Sequence, residues 1–218
     1  GKVKNDHIAD WREAYSLFPG DVIYVYHPAG DKQPAFFESI IAAGFEIIMQ
    51  IVWVKQQFVF GRGDYHIQHE PVIYAHRKGK KHNWQGSRKE TTVWNITSIL
   101  QASKQSEGDA AQVHGTQKPV ECMARPIRNN TYERQSVYDP FLGSGTTIIA
   151  ADQLNRCAYG QELDPAYCDL IVARYIKFKR SQSSGTLTIK RNGKELSEEE
   201  VQKYLDQAQN NDNTTKNA

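Results

Sequence analysis

The run Tyr138-Asp139-Pro140-Phe141-Leu142-Gly143-Ser144-Gly145-Thr146-Thr147 constrains this chain more than any other segment. Val137 and Tyr138 close an extended stretch, Asp139-Pro140 ends it, and Gly143-Ser144-Gly145 opens a turn. Thr146 to Ala151 then begins a helix. Glycines let a backbone pass close to a ligand, and the unpaired N–H groups of a helix start attract an anion. A second extended stretch, Cys157 to Gln161, leads into Glu162, sixteen residues beyond Thr146. A carboxylate about 20 residues past a glycine turn is where a Rossmann-like fold holds the two hydroxyls of a ribose. Together they predict an α/β domain with a place for a nucleoside-bearing cofactor.

The turn narrows the choice of cofactor. A dinucleotide fingerprint would put a third glycine at 148, which is Ile148, and the chain contains no G-x-x-x-x-G-K-[ST] phosphate loop. A single G-x-G turn suits a ligand with a small carboxylate rather than a pyrophosphate. S-adenosylmethionine has that shape, with a methionine carboxylate at one end and adenosine at the other.

The N-terminal half reads as alternating strands and helices. Ile8 to Tyr15 has helical spacing of its apolar positions, and Pro19-Gly20 turns it into Val22-Ile23-Tyr24-Val25-Tyr26. That stretch is rich in β-formers and apolar throughout, as a strand buried on both faces would be. Phe36 to Ala43 supplies a crossover helix that stops at Gly44. The strands expected are 22–27, about 46–55, 71–76, 136–139 and 157–162, in a parallel sheet.

Three segments, HGTQKPVECMARPI, YDPFLGSGTT and GQELDPAYC, occur in that order. They resemble the S-adenosylmethionine half of the beta-class, circularly permuted DNA amino-methyltransferases, which methylate adenine N6 or cytosine N4. The segments KNDHIADWREAY, PGDVIYVYHPAG and IVWVKQQFVFGRGDYHIQHEPVIYAHRKG resemble the same family's other half. The likeness covers roughly residues 1–178. It implies a Rossmann-like methyltransferase sheet divided into a catalytic half at 1–76, a target-recognition insert at 77–113 and a cofactor half at 114–178. A polar tail follows at 179–218. By resemblance, Thr116, Lys118 and Pro119 contact the methionine end of the cofactor. Asp139, Phe141, Gly143, Ser144, Gly145 and Thr146 form its wall, Glu162 takes the ribose, and Asp164 lies near the adenine.

The family's catalytic tetrapeptide, [DNS]-P-P-[YF], does not occur. Asp164-Pro165-Ala166-Tyr167 is a near match that belongs to the family's separate ELDPxY segment. The tetrapeptide is expected upstream of Gly1, along with a central strand, so no catalytic residue is assigned within the chain. Without that strand the sheet would carry a gap with unpaired edges, which favours association or a completing N-terminal segment. The resemblance implies a DNA methyltransferase acting on double-stranded DNA. The alternative is a binding remnant that retains the cofactor pocket and lacks the tetrapeptide.

Charge distribution supports a nucleic-acid partner. The net charge is only +2, yet Arg77, Lys78, Lys80, Lys81, Arg88 and Lys89 cluster with no acid among them. This stretch falls where the family carries its target-recognition segment. Lys78, Lys80, Lys81, Arg88 and Lys89 would neutralise phosphates, and Trp84 would stack on a base or fill the gap left by one. Phe58, Phe60 and Tyr65 are further candidates for stacking. His66, His69 and Glu70 do not follow zinc spacing, and no metal is assigned. Three widely spaced cysteines, Cys122, Cys157 and Cys168, and the lack of a secretory signal or membrane span point to a cytoplasmic protein. In the tail, Asn192-Gly193 predicts a hairpin, Ser197 an N-cap, and residues 207–218 are expected to be disordered.

Overall fold

The structure is a computed structural model that describes residues 8, 10–61, 63–97, 117–182 and 187–206. Its first half contains α1 (Arg12–Leu17), β1 (Val22–Tyr26), α2 (Gln33–Ala42), β2 (Phe45–Val59), β3 (Ile67–Arg77) and β4 (Val93–Asn95). The second half contains α3 (Val120–Asn130), β5 (Ser136–Asp139), α4 (Thr146–Gln153), β6 (Cys157–Gly160) and α5 (Pro165–Ser181). The tail contributes β7 (Lys190–Arg191), β8 (Lys194–Glu195) and a helix, α6 (198–206).

The described strands form two main sheets. One has the order β1-β3-β2-β4, and the other pairs β5 with β6. The expected strand–helix–strand alternation holds for β1-α2-β2 and for the parallel pair β5-α4-β6. It fails at β3, which runs antiparallel to both β1 and β2. The expectation of a wholly parallel sheet is therefore corrected. Only residues 60–66 separate β2 from β3, far short of a crossover, so the chain reverses directly and pairs as a hairpin.

Burial follows from this order. On β3, Val72 and Tyr74 face one core with Ile51, Trp53 and Trp94, while Ile73 and Ala75 face another with Tyr15, Phe36, Ile40 and Phe45. A strand apolar on both faces belongs in the middle of a sheet, and β3 is there. The stretch expected to be buried on both faces, β1, is only half-buried at every position. Among the described residues it pairs with β3 alone and forms the outer strand of its sheet.

Helix α3 joins the two halves. Cys122 packs beneath the first sheet, while Ala124 and Ile127 pack on Ala150 and Ala151 of α4. Tyr24 donates its hydroxyl to Asn130 Oδ1 at 2.6 Å, and Tyr26 donates to the Cys122 carbonyl at 3.0 Å. Phe18 stacks near Tyr138, with ring centroids 6.1 Å apart.

The described part of the tail, residues 187–206, packs against the rest. Asn192 and Gly193 both take positive φ, 51° and 79°, as a two-residue hairpin turn requires. Ser197 and Glu200 exchange backbone and side-chain hydrogen bonds at the start of α6, a capping box. Val201 and Leu205 then bury against Ala173 and Ile176 of α5. Residues 207–218 lie outside the described residues.

Candidate functional site

The glycine turn sits at the C-terminal end of β5, where ligands bind in open α/β sheets. Gly143 and Gly145 have φ of 53° and 79°, left-handed values that side-chain-bearing residues seldom adopt. Gly145 is constrained twice, because a Cβ there would come within 2.8 Å of Ile171 on α5. Asp139 ties the strand end to the helix: one carboxylate oxygen accepts from the Phe141 amide at 2.9 Å, the other from the Thr147 hydroxyl at 2.6 Å. Asp139 therefore shapes the turn through one backbone amide and one side-chain hydroxyl. Phe141 is half-exposed and edge-on to Trp11, with centroids 4.6 Å apart.

Glu162 follows β6 and faces the same turn. Oε2 accepts from the Gly143 amide at 2.8 Å and Oε1 from the Asp164 amide at 3.0 Å. Two backbone donors thus fix the carboxylate beside the glycines. An ionised carboxylate accepts about four hydrogen bonds, so acceptor capacity remains for hydroxyls of a ligand. Asp164 has a local role as well: its side chain accepts from the Ala166 amide and caps α5.

The start of α3 closes the other side. The Lys118 carbonyl lies 3.3 Å from the Thr146 hydroxyl, which donates to it, and buried Pro119 stands at the N-cap position of the helix. The Lys118 ammonium does not point at the glycine turn. It pairs with Glu70 Oε2 at 2.6 Å and lies over the Tyr26 ring, 4.9 Å from its centroid. Lys55 pairs with the other Glu70 oxygen at 2.7 Å. Burial would raise the Glu70 pKa, but its two lysine partners more than offset that and hold it below the ordinary value. The expected contact of Thr116 falls outside the described residues.

The aromatic candidates and the basic stretch part company. The β2–β3 hairpin extends beyond Glu70 at the end of the sheet that carries Lys118, and exposes Phe60 and Tyr65 at its tip, at 81% and 92%. Phe58 stacks on His66 with centroids 5.1 Å apart. The basic stretch leaves β3 at its opposite end, after Arg77. Lys78, Lys80, Lys81, Arg88 and Lys89 are all exposed. The Trp84 ring lies over Gly86 beside Asn129, and the Gln85 amide donates to the Asn129 carbonyl at 2.7 Å. Those contacts anchor the stretch to the C-terminal end of α3. The glycine turn adjoins the other end, roughly 15 Å away along an 11-residue helix. Trp84 is therefore not brought to the turn.

Two contributors are missed by reading the sequence. Arg174, on α5, donates to three oxygens of the turn from a buried position. Glu70, which the sequence places only at the start of a strand, joins the two halves. Neither role has a local sequence signal, because each depends on elements far apart in the chain.

Known proteins resemble this chain in sequence and in fold. A family model described as DNA methylase, N6/N4 type, matches residues 11–173. The type II methyltransferase M.HinfI of Haemophilus influenzae is 26% identical over 147 residues, 62% of this chain and 41% of that protein. M.BglII of Bacillus subtilis is 24% identical over 162 residues, 62% of this chain and 44% of its own. The chain thus spans less than half the length of these relatives. Among solved structures, the M1.HpyAVI–SAM complex superposes with a TM-score of 0.62 at 23% identity, covering 78% of this chain and 83% of that one. The PvuII cytosine-N4-specific DNA methyltransferase superposes at 0.59 with 16% identity, covering 87% and 69%. At such identities the structural likeness is one of fold, and it is the fold of S-adenosylmethionine-dependent methyltransferases. With more than half its length matched by the family model, the chain belongs to the DNA methylase family of N6/N4 methyltransferases.

Proposed function

We propose that the chain binds S-adenosylmethionine at the Gly143–Thr146 turn and serves methyl transfer to an exocyclic amino group of adenine or cytosine in DNA. The observation that carries this reading is the Glu162 carboxylate, fixed by two backbone amides beside a turn with two left-handed glycines. That geometry suits a ligand with a ribose at one end and a small anionic group at the other. The Gly143, Ser144 and Gly145 backbone would approach the methionine end, and Glu162 would accept from the ribose hydroxyls. When bound, the cofactor supplies an electrophilic sulfonium methyl.

The chain's own part in the reaction is positioning. Holding the amino nitrogen in line with the methyl group lowers the barrier by orientation and needs little acid–base assistance. A base must first leave the duplex stack to reach such a site. The exposed aromatics Phe58, Phe60 and Tyr65, at the end of the sheet that carries Lys118, would receive it. The basic stretch, at the other end of α3, would attract the phosphate backbone and make no contact with the reacting base. The residue that accepts from the target amino group is not assigned within this chain.

The test is calorimetric titration of the full chain with S-adenosylmethionine, followed by transfer of a labelled methyl group to duplex DNA. Saturable binding of one equivalent supports the cofactor assignment, and its absence removes it. Label in N6-methyladenine or N4-methylcytosine would identify the target. Binding with no transfer to any DNA would withdraw the enzymatic part of the proposal.

A further inference from the structure

Arg174 is a buried cation, 6% exposed, in the middle of α5. Side chains on a helix lean toward its N-terminus, so Arg174 reaches back toward the glycine turn. Nη1 donates to the Ser144 carbonyl at 2.8 Å and lies 3.3 Å from Ser144 Oγ and 3.2 Å from Thr146 Oγ1. Ile171, one turn earlier on the same helix face, fills the space over Gly145 where a Cβ would stand. One face of α5 therefore supports the turn from beneath with an apolar and a cationic residue three positions apart.

The directions of these hydrogen bonds are fixed by chemistry. A guanidinium only donates, so Thr146 Oγ1 must accept from Arg174. The Thr146 proton then goes to the Lys118 carbonyl or to Ser144 Oγ, each at 3.3 Å. The same guanidinium draws the Ser144 carbonyl inward. Of the turn's amides, Gly143 donates to Glu162 and Gly145 to the Leu142 carbonyl at 2.8 Å, which leaves those of Ser144 and Thr146 for a ligand. A positive charge beneath a cluster of backbone N–H groups also strengthens their attraction for an anion, and burial weakens screening of that charge.

We infer that Arg174 is a positioning residue for the carboxylate-bearing end of the cofactor, acting through Ser144 and Thr146 without touching the ligand. The inference rests on the proposed cofactor reading. It predicts a split between two halves of one ligand. Adenosine engages Glu162 and has no carboxylate, whereas S-adenosylhomocysteine carries both ends.

The experiment measures binding of S-adenosylhomocysteine and adenosine to the full-length wild type, Arg174→Lys and Arg174→Met, with thermal melting of each. Arg174→Met should weaken S-adenosylhomocysteine roughly tenfold or more, as loss of a charge-assisted hydrogen bond implies, while adenosine changes less than about threefold. Arg174→Lys keeps the charge and loses the planar fork, so its loss should be intermediate. Ser144→Ala serves as the second variant should Arg174→Met not fold, and it should show the same preference in milder form. Equal losses for both ligands would mean a general collapse of the pocket and would overturn the inference, as would no loss for either. Failure of the wild type to bind S-adenosylhomocysteine would remove the cofactor reading itself, and the inference with it.

Discussion

Glu162 Oε2 accepts a hydrogen bond from the Gly143 amide at 2.8 Å, joining the end of one parallel strand to the turn that follows the other. The carboxylate is thus oriented before any ligand arrives, and its orientation depends on acceptor chemistry at both oxygens. Glu162→Gln replaces one acceptor with an NH2 group that faces an amide donor. We expect Glu162→Gln to weaken S-adenosylmethionine by about tenfold and Glu162→Ala by somewhat more, at roughly 1.5–3 kcal/mol per charged hydrogen bond. Calorimetric titration checks this, and unchanged affinity would remove Glu162 from the ribose site.

Asp139 has both carboxylate oxygens engaged within the turn. Its removal should affect stability first and binding second. Asp139→Ala is expected to cost about 2 kcal/mol in urea unfolding, from a lost charged acceptor and two unpartnered donors. Thr147→Val removes only one of those bonds and should cost roughly half as much. Equal stability of all three proteins would show that the turn holds its shape without this carboxylate.

The Glu70 contacts with Lys118 and Lys55 give the joint between the halves a pH dependence. A carboxyl with a depressed folded-state pKa stabilises the fold above its unfolded value, about 4.3. That contribution is lost as pH falls through the lower, folded value. Wild type should therefore lose more stability than Glu70→Gln when acidified from neutrality to below pH 4, although the variant starts out less stable. Parallel acid-unfolding curves for the two would disprove a net contribution from this pair.

The exposed cations of the basic stretch predict a salt effect without a target effect. Replacing Lys80, Lys81 and Arg88 by alanine should weaken duplex DNA binding. The slope of log affinity against log salt should become shallower by roughly 2–3, about 0.9 for each phosphate no longer neutralised. Sequence preference and cofactor affinity should stay as in the wild type, because the stretch is anchored at the end of α3 remote from the turn. A changed base preference would mean that the stretch reads sequence.

The parts of the site that the sequence reveals are those whose geometry is local. Gly143 and Gly145 announce themselves because only glycine accepts their φ, and Glu162 because a strand, a helix and a strand fix its distance from them. The antiparallel β3 is open to the same logic, since residues 60–66 leave no room for a crossover helix. Its apolar run looks like any buried strand, and direction leaves no mark on composition. Arg174 and Glu70 belong to another class. A mid-helix arginine and a strand-start glutamate look solvated until tertiary packing sets them beside Ser144 and Lys118. Trp84 combines the two classes: a ring in a basic loop is legible as a candidate for stacking, while its packing over Gly86 follows from the docking of that loop on α3.

Helix α5 faces two ways. Ile171 and Arg174 lie under the glycine turn, while Ala173 and Ile176 receive Val201 and Leu205 from the C-terminal helix. One helix thus touches both the glycine turn and the tail, and Tyr204 donates to Asp169 nearer the start of that helix. Free energy exchanged between two such sites must be reciprocal. Cofactor binding would then slow hydrogen exchange in 198–206, and a partner that pulled α6 away would loosen the cofactor by the same factor. If α5 carries such an exchange, the tail becomes a place from which affinity for a ligand at the turn is set.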